Sequence, residues 1–233
     1  MELQETKNLI SESKNVYLIT SQEPEAITST LALFYTLKDL GKNVNLLMDD
    51  LPENLKFLSP SLDFISYPKN FVLSIPNNVA QISQIYYEKN NDALQIHLTL
   101  ENGNIKKDNI AFYFAEAKPD LVITVGVEDY QKKLSEKLNS FGFLLDSPIV
   151  NIGNSQENKK FGKINLIGES SIPEMIFSLV ENITKESAIC LLSGIVVYTG
   201  NFKTKLTANI FEIASNLMKK GADLKIITDN IKQ

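Results

Sequence analysis

The most constraining stretch of this chain is its opening. Val16–Thr20 is a short apolar run with β-branched residues, and Pro24 follows it. From Ala26 the apolar residues switch to helical spacing: Ile27, Leu31, Phe34 and Leu37 fall at i, i+4, i+7 and i+10. Gly41 supplies a left-handed stop for that helix, and Val44–Met48 reads as a second strand. Strand, helix and strand joined by such short connections require parallel pairing through a right-handed crossover. The predicted fold class is therefore α/β, a mostly parallel sheet with helices on both faces.

The same grammar returns later in the chain. Leu121–Val125 reads as a buried strand, Tyr130–Leu138 as a helix and Ile149–Ile152, led in by Pro148, as a further strand. Ser171-Ile172-Pro173-Glu174 fits a capping box opening a helix through Met175, Ile176, Leu179 and Val180. Ala188–Val197 is apolar nearly all round, as a central buried helix would be. Ile210, Phe211, Ala214, Leu217 and Met218 form another helical stripe, closed by Lys219, Lys220 and Gly221. A last short helix is expected from Asp223 onward. Pro60 to about Pro119 differs, with turn signals and strict alternation in Leu94, Ile96, Leu98 and Leu100. Ile82–Lys89 and Ala93–Leu100 flank Asn90-Asn91-Asp92, and Ile110–Phe114 follows a second turn at Glu101–Asn104. This segment, about 66–118, is expected to be a β-rich meander inserted into a single domain spanning 1–233, extending or flanking the main sheet.

Composition narrows the function. With 43% hydrophobic residues over 233 positions the chain can bury a real core, and a net charge of −5 leaves no basic footprint for extended nucleic acid. A small nucleotide ligand stays open. The single cysteine, Cys190, rules out an internal disulfide and fits a reducing compartment. The N-terminal residues lack the basic-then-apolar order of a signal peptide, and no apolar run approaches the ~20 residues of a membrane span. The expectation is a cytoplasmic protein with no membrane association.

Several blocks agree in order and spacing with one known family. Thr28-Ser29-Thr30-Leu31-Ala32-Leu33 with Leu40-Gly41-Lys42-Asn43-Val44 resembles the first helix and second strand of the DHH phosphoesterase superfamily. Pro52–Leu58 resembles the loop that follows. Pro148–Ile152, Asn158 and Phe161–Leu166 bracket the place where the family carries its Asp-His-His triplet. Gly194-Ile195, Thr199-Gly200 and Phe202 resemble its glycine-isoleucine helix end. The likeness covers roughly 10–60 and 119–230 and leaves the meander outside. It implies two divalent metal ions, usually manganese, held for phosphoester hydrolysis, and a second, C-terminal substrate-binding domain beyond about Gln233 that this sequence does not carry.

The resemblance also implies that most metal ligands are replaced. Where the family has a His and two Asp, this chain has Ser21 and Glu25, with two residues deleted before Ala26. The strand-end Asp matches Gly126, the Asp-His-His triplet matches Gly153-Asn154-Ser155, and the last Asp matches Tyr198. Only Glu25 remains a good oxygen donor. Other acids stand near in sequence (Glu23, Glu128, Asp129 and Asp146), but coordination needs ligand positions good to about 0.2 Å, not acidic neighbours. Ser21, Asn154, Ser155 and Lys203, or Lys205, are candidates for a small-anion site, although no Gly-rich phosphate loop accompanies them. His97, the sole histidine, is assigned to the wet face of a meander strand. Ser193 has no partner base, and Tyr86, Tyr87, Phe112, Tyr113 and Phe114 are read as packing residues.

These readings predict a catalytically degenerate DHH-type domain with no cofactor, working as a non-hydrolytic binding, scaffolding or regulatory protein. Self-association or a protein partner would use the meander at about 70–115, since an open sheet edge invites pairing. The alternative is a phosphoesterase of short oligonucleotides or nucleotides with a rebuilt manganese or magnesium site.

Overall fold

The structure is a computed structural model. It describes residues 2–48, 50–60, 69–116, 118–134, 146–155 and 157–231. The chain divides into two compact units, one of Met1–Pro68 with Lys118–Gln233 and one of Lys69–Ala117.

The first unit is built on a five-stranded parallel sheet. Its strands are β1 (Asn15–Thr20), β2 (Asn43–Leu47), β7 (Leu121–Val125), β8 (Ile149–Gly153) and β9 (Ile164–Ile167), ordered β2-β1-β7-β8-β9. The four strands expected from the sequence thus share one sheet; β9 lies in a stretch to which the sequence pattern assigns no strand. The strands read as near-continuous apolar runs because both faces are covered. Alternation decides which side each residue serves. Val16, Leu18, Leu121, Ile123, Val125, Val150 and Ile152 enter the large core. Tyr17, Ile19, Val122 and Ile149 enter a smaller one on the other face, with Val127 and Tyr130.

Helix α1 (Glu2–Glu12) precedes β1 and is absent from the sequence expectation, because only Thr6 and Ile10 of its residues are buried. Helix α2 (Pro24–Asp39) follows β1 and packs its apolar stripe into the large core. Gly41 ends the connection to β2 at φ +73°, the left-handed conformation expected of it. A 3₁₀ turn, Glu53–Leu58, buries Leu55 and Leu58. Helix α3 (Tyr130–Leu134) supplies Tyr130 to the smaller core; the rest of the helix expected to Leu138 lies outside the described residues.

Helix α4 (Ile172–Leu179) carries the expected capping box: Ser171 Oγ accepts from Glu174 N–H, and Glu174 Oε2 accepts from Ser171 N–H at 3.0 Å. Helix α5 (Lys185–Tyr198) is the central buried helix, tied to α2 by a 2.8 Å contact between the Thr36 and Ser187 hydroxyls. Helices α6 (Ala208–Lys219) and α7 (Leu224–Ile231) close the unit. No described helix is long and apolar enough to cross a membrane.

The second unit consists of two antiparallel pairs. Strand β3 (Lys69–Ser74) pairs with β6 (Ala111–Glu116), and β4 (Ala80–Lys89) with β5 (Leu94–Gly103). Neither pair is hydrogen-bonded into the five-stranded sheet among the described residues, so of the two arrangements expected, extending or flanking that sheet, the extension does not form. The physical reason is locality. Asn90 Oδ1 accepts from the N–H groups of Asp92 and Ala93, and this short turn closes β4 on β5 with minimal loop entropy. A second departure concerns the aromatics. Tyr86, Tyr87, Phe112 and Tyr113 carry the sequence pattern of packing residues, yet each is exposed by half or more. The side chain of Phe114 lies outside the described residues. Alternation tells which side a residue faces, not whether anything covers that side.

Candidate functional site

Three neighbouring parallel strands deliver their carboxyl ends to one cleft of about 310 Å³, the position where open α/β sheets bind ligands. Ser21 follows β1, Gly126 follows β7 and Asn154 with Ser155 follows β8. The start of α2 adds Glu23 and Glu25, the first residue of α4 adds Ile172, and the end of α5 adds Tyr198. The residues that sequence order assigned to one site are therefore brought together, apart from Gly153 and Lys203. Lys203 is exposed and outside the lining; the cleft's cation is Lys205.

Glu25 organises this cleft. Its Oε1 accepts from the Ile172 backbone N–H at 2.7 Å and from Asn154 Nδ2 at 3.1 Å. Ile172 opens α4, so Glu25 meets one of the free N–H groups at a helix N-terminus, where negative charge is favoured. Burial pushes the Glu25 carboxyl above its ordinary range; the Ile172 and Asn154 hydrogen bonds and the Lys205 charge pull it partly back, and Glu174 pushes it up further. Tyr198 is also held above the usual phenol range, by burial and by the negative charges of Glu25 and Glu174, so it stays protonated. Lys205 Nζ stands 4.4 Å from the centroid of the Tyr198 ring, a cation–π contact.

Lys205 reaches that position through unusual backbone. Gly200, Asn201 and Phe202 have successive φ values of 54°, 62° and 57°, and Lys205 itself lies at 52°. Left-handed conformations cost roughly 1–2 kcal/mol each for a side-chain-bearing residue. They are held here by Thr199, whose carbonyl accepts from the N–H groups of Lys203 and Thr204 and whose Oγ1 accepts from Phe202 N–H.

Gly126 and Gly153 have no room for a side chain. A Cβ on Gly126, which sits at φ +65°, would lie 2.7 Å from Ala26 Cβ and 2.9 Å from Ser21 Oγ. The start of α2 packs directly on the end of β7. The Gly126 N–H donates to the Ile152 carbonyl at 2.8 Å. A Cβ on Gly153 would lie 2.1 Å from Asn158 Nδ2. Asn158 is buried, and its Nδ2 donates to the Val127 carbonyl at 3.3 Å. A row of the buried Thr124 and Asn151 and the half-buried Asn165 across β7, β8 and β9 anchors the loop after β8: Asn151 Oδ1 accepts from Thr124 Oγ1 at 2.9 Å, and its Nδ2 donates to the Lys159 carbonyl at 2.9 Å.

The remaining candidates are placed plainly. Glu23 and Glu128 line the cleft; Asp129 forms an ion pair with Lys159, and Asp146 lies 3.8 Å from Lys118. Among the described residues no three of His, Cys, Asp and Glu converge as a metal would require. His97 does face the side of its strand opposite Leu98, half-buried and stacked on Tyr86 with centroids 4.5 Å apart. Ser193 Oγ donates to the Ile189 carbonyl, and burial holds the Cys190 thiol far above its ordinary range. The pairing of Glu25 with Ile172, 147 positions apart, and the packing of Asn158 on Gly153 have no sequence signal.

The Glu25 arrangement makes a prediction with a definite sign. A carboxyl whose folded pKa is raised binds its proton more tightly in the native state. Its contribution is fully present below the unfolded value, near 4.5, and is lost as pH rises through the folded value. Gln offers the same acceptor oxygen without the charge. The stability of Glu25→Gln relative to the natural protein is thus expected to improve as pH rises above about 4.5 and to level off once the folded carboxyl has ionised, as urea unfolding at several pH values would read. Glu25→Ala leaves the Ile172 N–H without its acceptor and is expected to cost about 1–3 kcal/mol. A Gln variant that loses ground with rising pH would mean that the ionised carboxylate is the favoured form.

The parallel sheet, its flanking helices and the strand-end cleft define an α/β fold of the kind that binds ligands beyond the carboxyl ends of its strands. One similar solved structure shares this fold. An exopolyphosphatase-related protein from Bacteroides fragilis superposes with a TM-score of 0.67 at 17% identity, over 99% of this chain and 59% of that one. Manganese-bound exonuclease RecJ is more distant: TM-score 0.43 at 12% identity over 94% of this chain and 48% of that one. The Thermus thermophilus RecJ complex with Mn²⁺ gives 0.37 at 11%, over 99% and 36%. The resemblance seen in the sequence is borne out by the first of these at the level of fold; the other two are too remote to carry an argument. This chain spans 59% of the length of the Bacteroides protein. No family model matches the sequence, and no curated protein matches it.

Proposed function

We propose that this DHH-type domain does not hydrolyse phosphoesters with divalent metals and acts as a non-hydrolytic binding or regulatory domain. The observation that carries the reading is the state of Glu25, the one good oxygen donor left at a family ligand position. Its Oε1 already accepts two N–H groups, and the donor facing it from Asn154, at a triplet position, is an amide NH₂. A cation at that oxygen would face the positive ends of both N–H dipoles. The residues present therefore do not fit the family's ion pair, and no step of a hydrolysis is derived through one. Water activation and charge neutralisation by metal are worth several kcal/mol each, and neither is supplied by Gly126, Gly153, Ser155 or Tyr198. A free, buried Cys190 fits a cytoplasmic setting for such a domain.

What the cleft retains suits a small neutral or mixed-charge ligand. It offers the Ser21 and Ser155 hydroxyls, the Tyr198 phenol and the Lys205 ammonium, against the carboxylates of Glu23 and Glu128. Its volume lies at the small end of ligand pockets, which start near roughly 300 Å³. The test pairs two measurements. Purified protein incubated with short oligonucleotides, mononucleotides and a chromogenic phosphodiester, with millimolar manganese or magnesium, is expected to give no turnover above background. Elemental analysis is expected to find no stoichiometric metal. Turnover that survives repurification and vanishes in Glu25→Ala would establish the phosphoesterase alternative. A thermal-shift series with mononucleotides examines the binding half, since a ligand of the native state raises its stability.

A further inference from the structure

We propose that the β4–β5 hairpin is a self-association surface, whose apolar face packs on the same face of a second copy of this chain. The inference does not depend on whether the cleft is catalytic. In the antiparallel register, residues directly opposite share a face. Ile85 with Leu98, Tyr87 with Ile96, and Lys89 with Leu94 form one face; Gln84 with Thr99, Tyr86 with His97, and Glu88 with Gln95 form the other. Leu100, two residues beyond Leu98, continues the first face. One side of the ribbon is thus apolar except for Lys89 at its tip, and the other is polar with one stacked tyrosine–histidine pair.

The apolar side is uncovered. Ile85 is 69% exposed, Tyr87 73%, Leu94 61%, Ile96 46% and Leu100 37%. Along both strands the only buried residue is Ala80. A two-stranded ribbon is marginal in water without a third strand or a packed face, and this one presents ten-residue strands. Large side chains bring roughly 150–250 Å² each, so the five exposed residues offer on the order of 500 Å² per copy. Two such faces together remove about 1,000 Å² from water, the lower bound for a specific interface.

The occupant follows from the pattern of charge. A two-fold axis through the centre of the face sets Ile85, Tyr87, Ile96 and Leu98 of one copy against the same residues of the other, with no charge at the centre to desolvate. The same axis runs the two hairpins in opposite directions. Each Lys89 tip then lies at the base of the other hairpin, and the two lysines are kept apart. An isologous contact of this kind closes at two copies. A strongly charged partner finds no complement on this face.

The experiment uses the full chain. Sedimentation velocity over a concentration series is expected to show a monomer–dimer equilibrium. The Tyr87→Asp, Ile96→Asp double variant is expected to weaken it by roughly a hundredfold or more, as loss of central apolar anchors does, with an unchanged circular dichroism spectrum. A second arm does not depend on how that variant folds. Cys190, the only cysteine, is buried, so a single introduced cysteine reports its own surroundings. Ile96→Cys is expected to give a disulfide-linked dimer under mild oxidation, whereas Gln95→Cys, on the polar face, gives little. A protein that stays monomeric at high concentration would overturn the proposal and indicate that another surface or another protein covers the hairpin. So would a dimer insensitive to the double variant, or equal cross-linking from positions 95 and 96.

Discussion

Replacing Gly126 with Asp, which places a carboxylate at the end of β7, is expected to destabilise the protein by about 2–5 kcal/mol without creating metal-dependent activity. Two costs add. The residue sits at φ +65°, where a side-chain-bearing residue pays roughly 1–2 kcal/mol. Its Cβ would also stand 2.7 Å from Ala26 Cβ and 2.9 Å from Ser21 Oγ, and overpacking of this kind costs about 1–3 kcal/mol. Ser21 Oγ can turn about one torsion, but Ala26 Cβ is fixed to the helix backbone. Ala26 is buried at the start of α2, so relief requires moving the helix that carries Glu25. For a chain of this length each kcal/mol shifts the melting temperature by about 2–4 °C, so the loss is expected at roughly 4–20 °C. Thermal unfolding with and without manganese reads both halves of the claim. If Asp at 126 melts like the natural protein and gains stability from added manganese, the site is far closer to a working ion pair than its packing indicates.

The same positions show how far the sequence can be read. Strand and helix identity are legible wherever a segment is buried on a regular period, as in β1, α2, β7 and α5. The helix α1 is not, because it buries only two residues and so carries little periodic signal. Site membership is legible from the order of blocks: Ser21, Glu25, Gly126, Asn154, Ser155 and Tyr198 do line one cleft. The internal wiring is not. That Glu25 is answered by the first N–H of α4, and that Ala26 and Asn158 stand over the two glycines, are facts of approach between distant segments. Choosing Lys205 over Lys203 needs the left-handed turn at 200–202, which breaks the register that counting along the chain assumes. In the second unit, alternation assigns the faces correctly but not their cover, and so the aromatic pairs look like core.

Gly194 links packing to the cleft, and its substitution is the second large effect expected. It lies inside the buried helix α5, where glycine costs about 1 kcal/mol relative to alanine. A Cβ there would meet Thr28 Oγ1 at 2.7 Å and Pro173 Cγ at 2.7 Å. Thr28 belongs to the first turns of α2, three residues after Glu25, and its hydroxyl donates to the carbonyls of Pro24 and Glu25. Pro173 follows Ile172 at the start of α4. The bare backbone at 194 therefore lets two helix starts converge, and that convergence sets the 2.7 Å hydrogen bond between the Ile172 N–H and Glu25. Gly194→Ala trades a propensity gain of about 1 kcal/mol against overpacking of about 1–3 kcal/mol, for a modest net loss. Gly194→Leu has no such room and is expected to cost about 3 kcal/mol or more. The informative readout is local. In the Ala variant the Ile172 amide is expected to exchange its hydrogen faster than in the natural protein, while amides of β1 and β7 keep their protection, because opening of one contact does not require global unfolding. Unchanged protection at Ile172 in a destabilised Ala variant would separate the helix packing from the Glu25 contact and leave the position of Glu25 resting on its hydrogen bond from Asn154 instead.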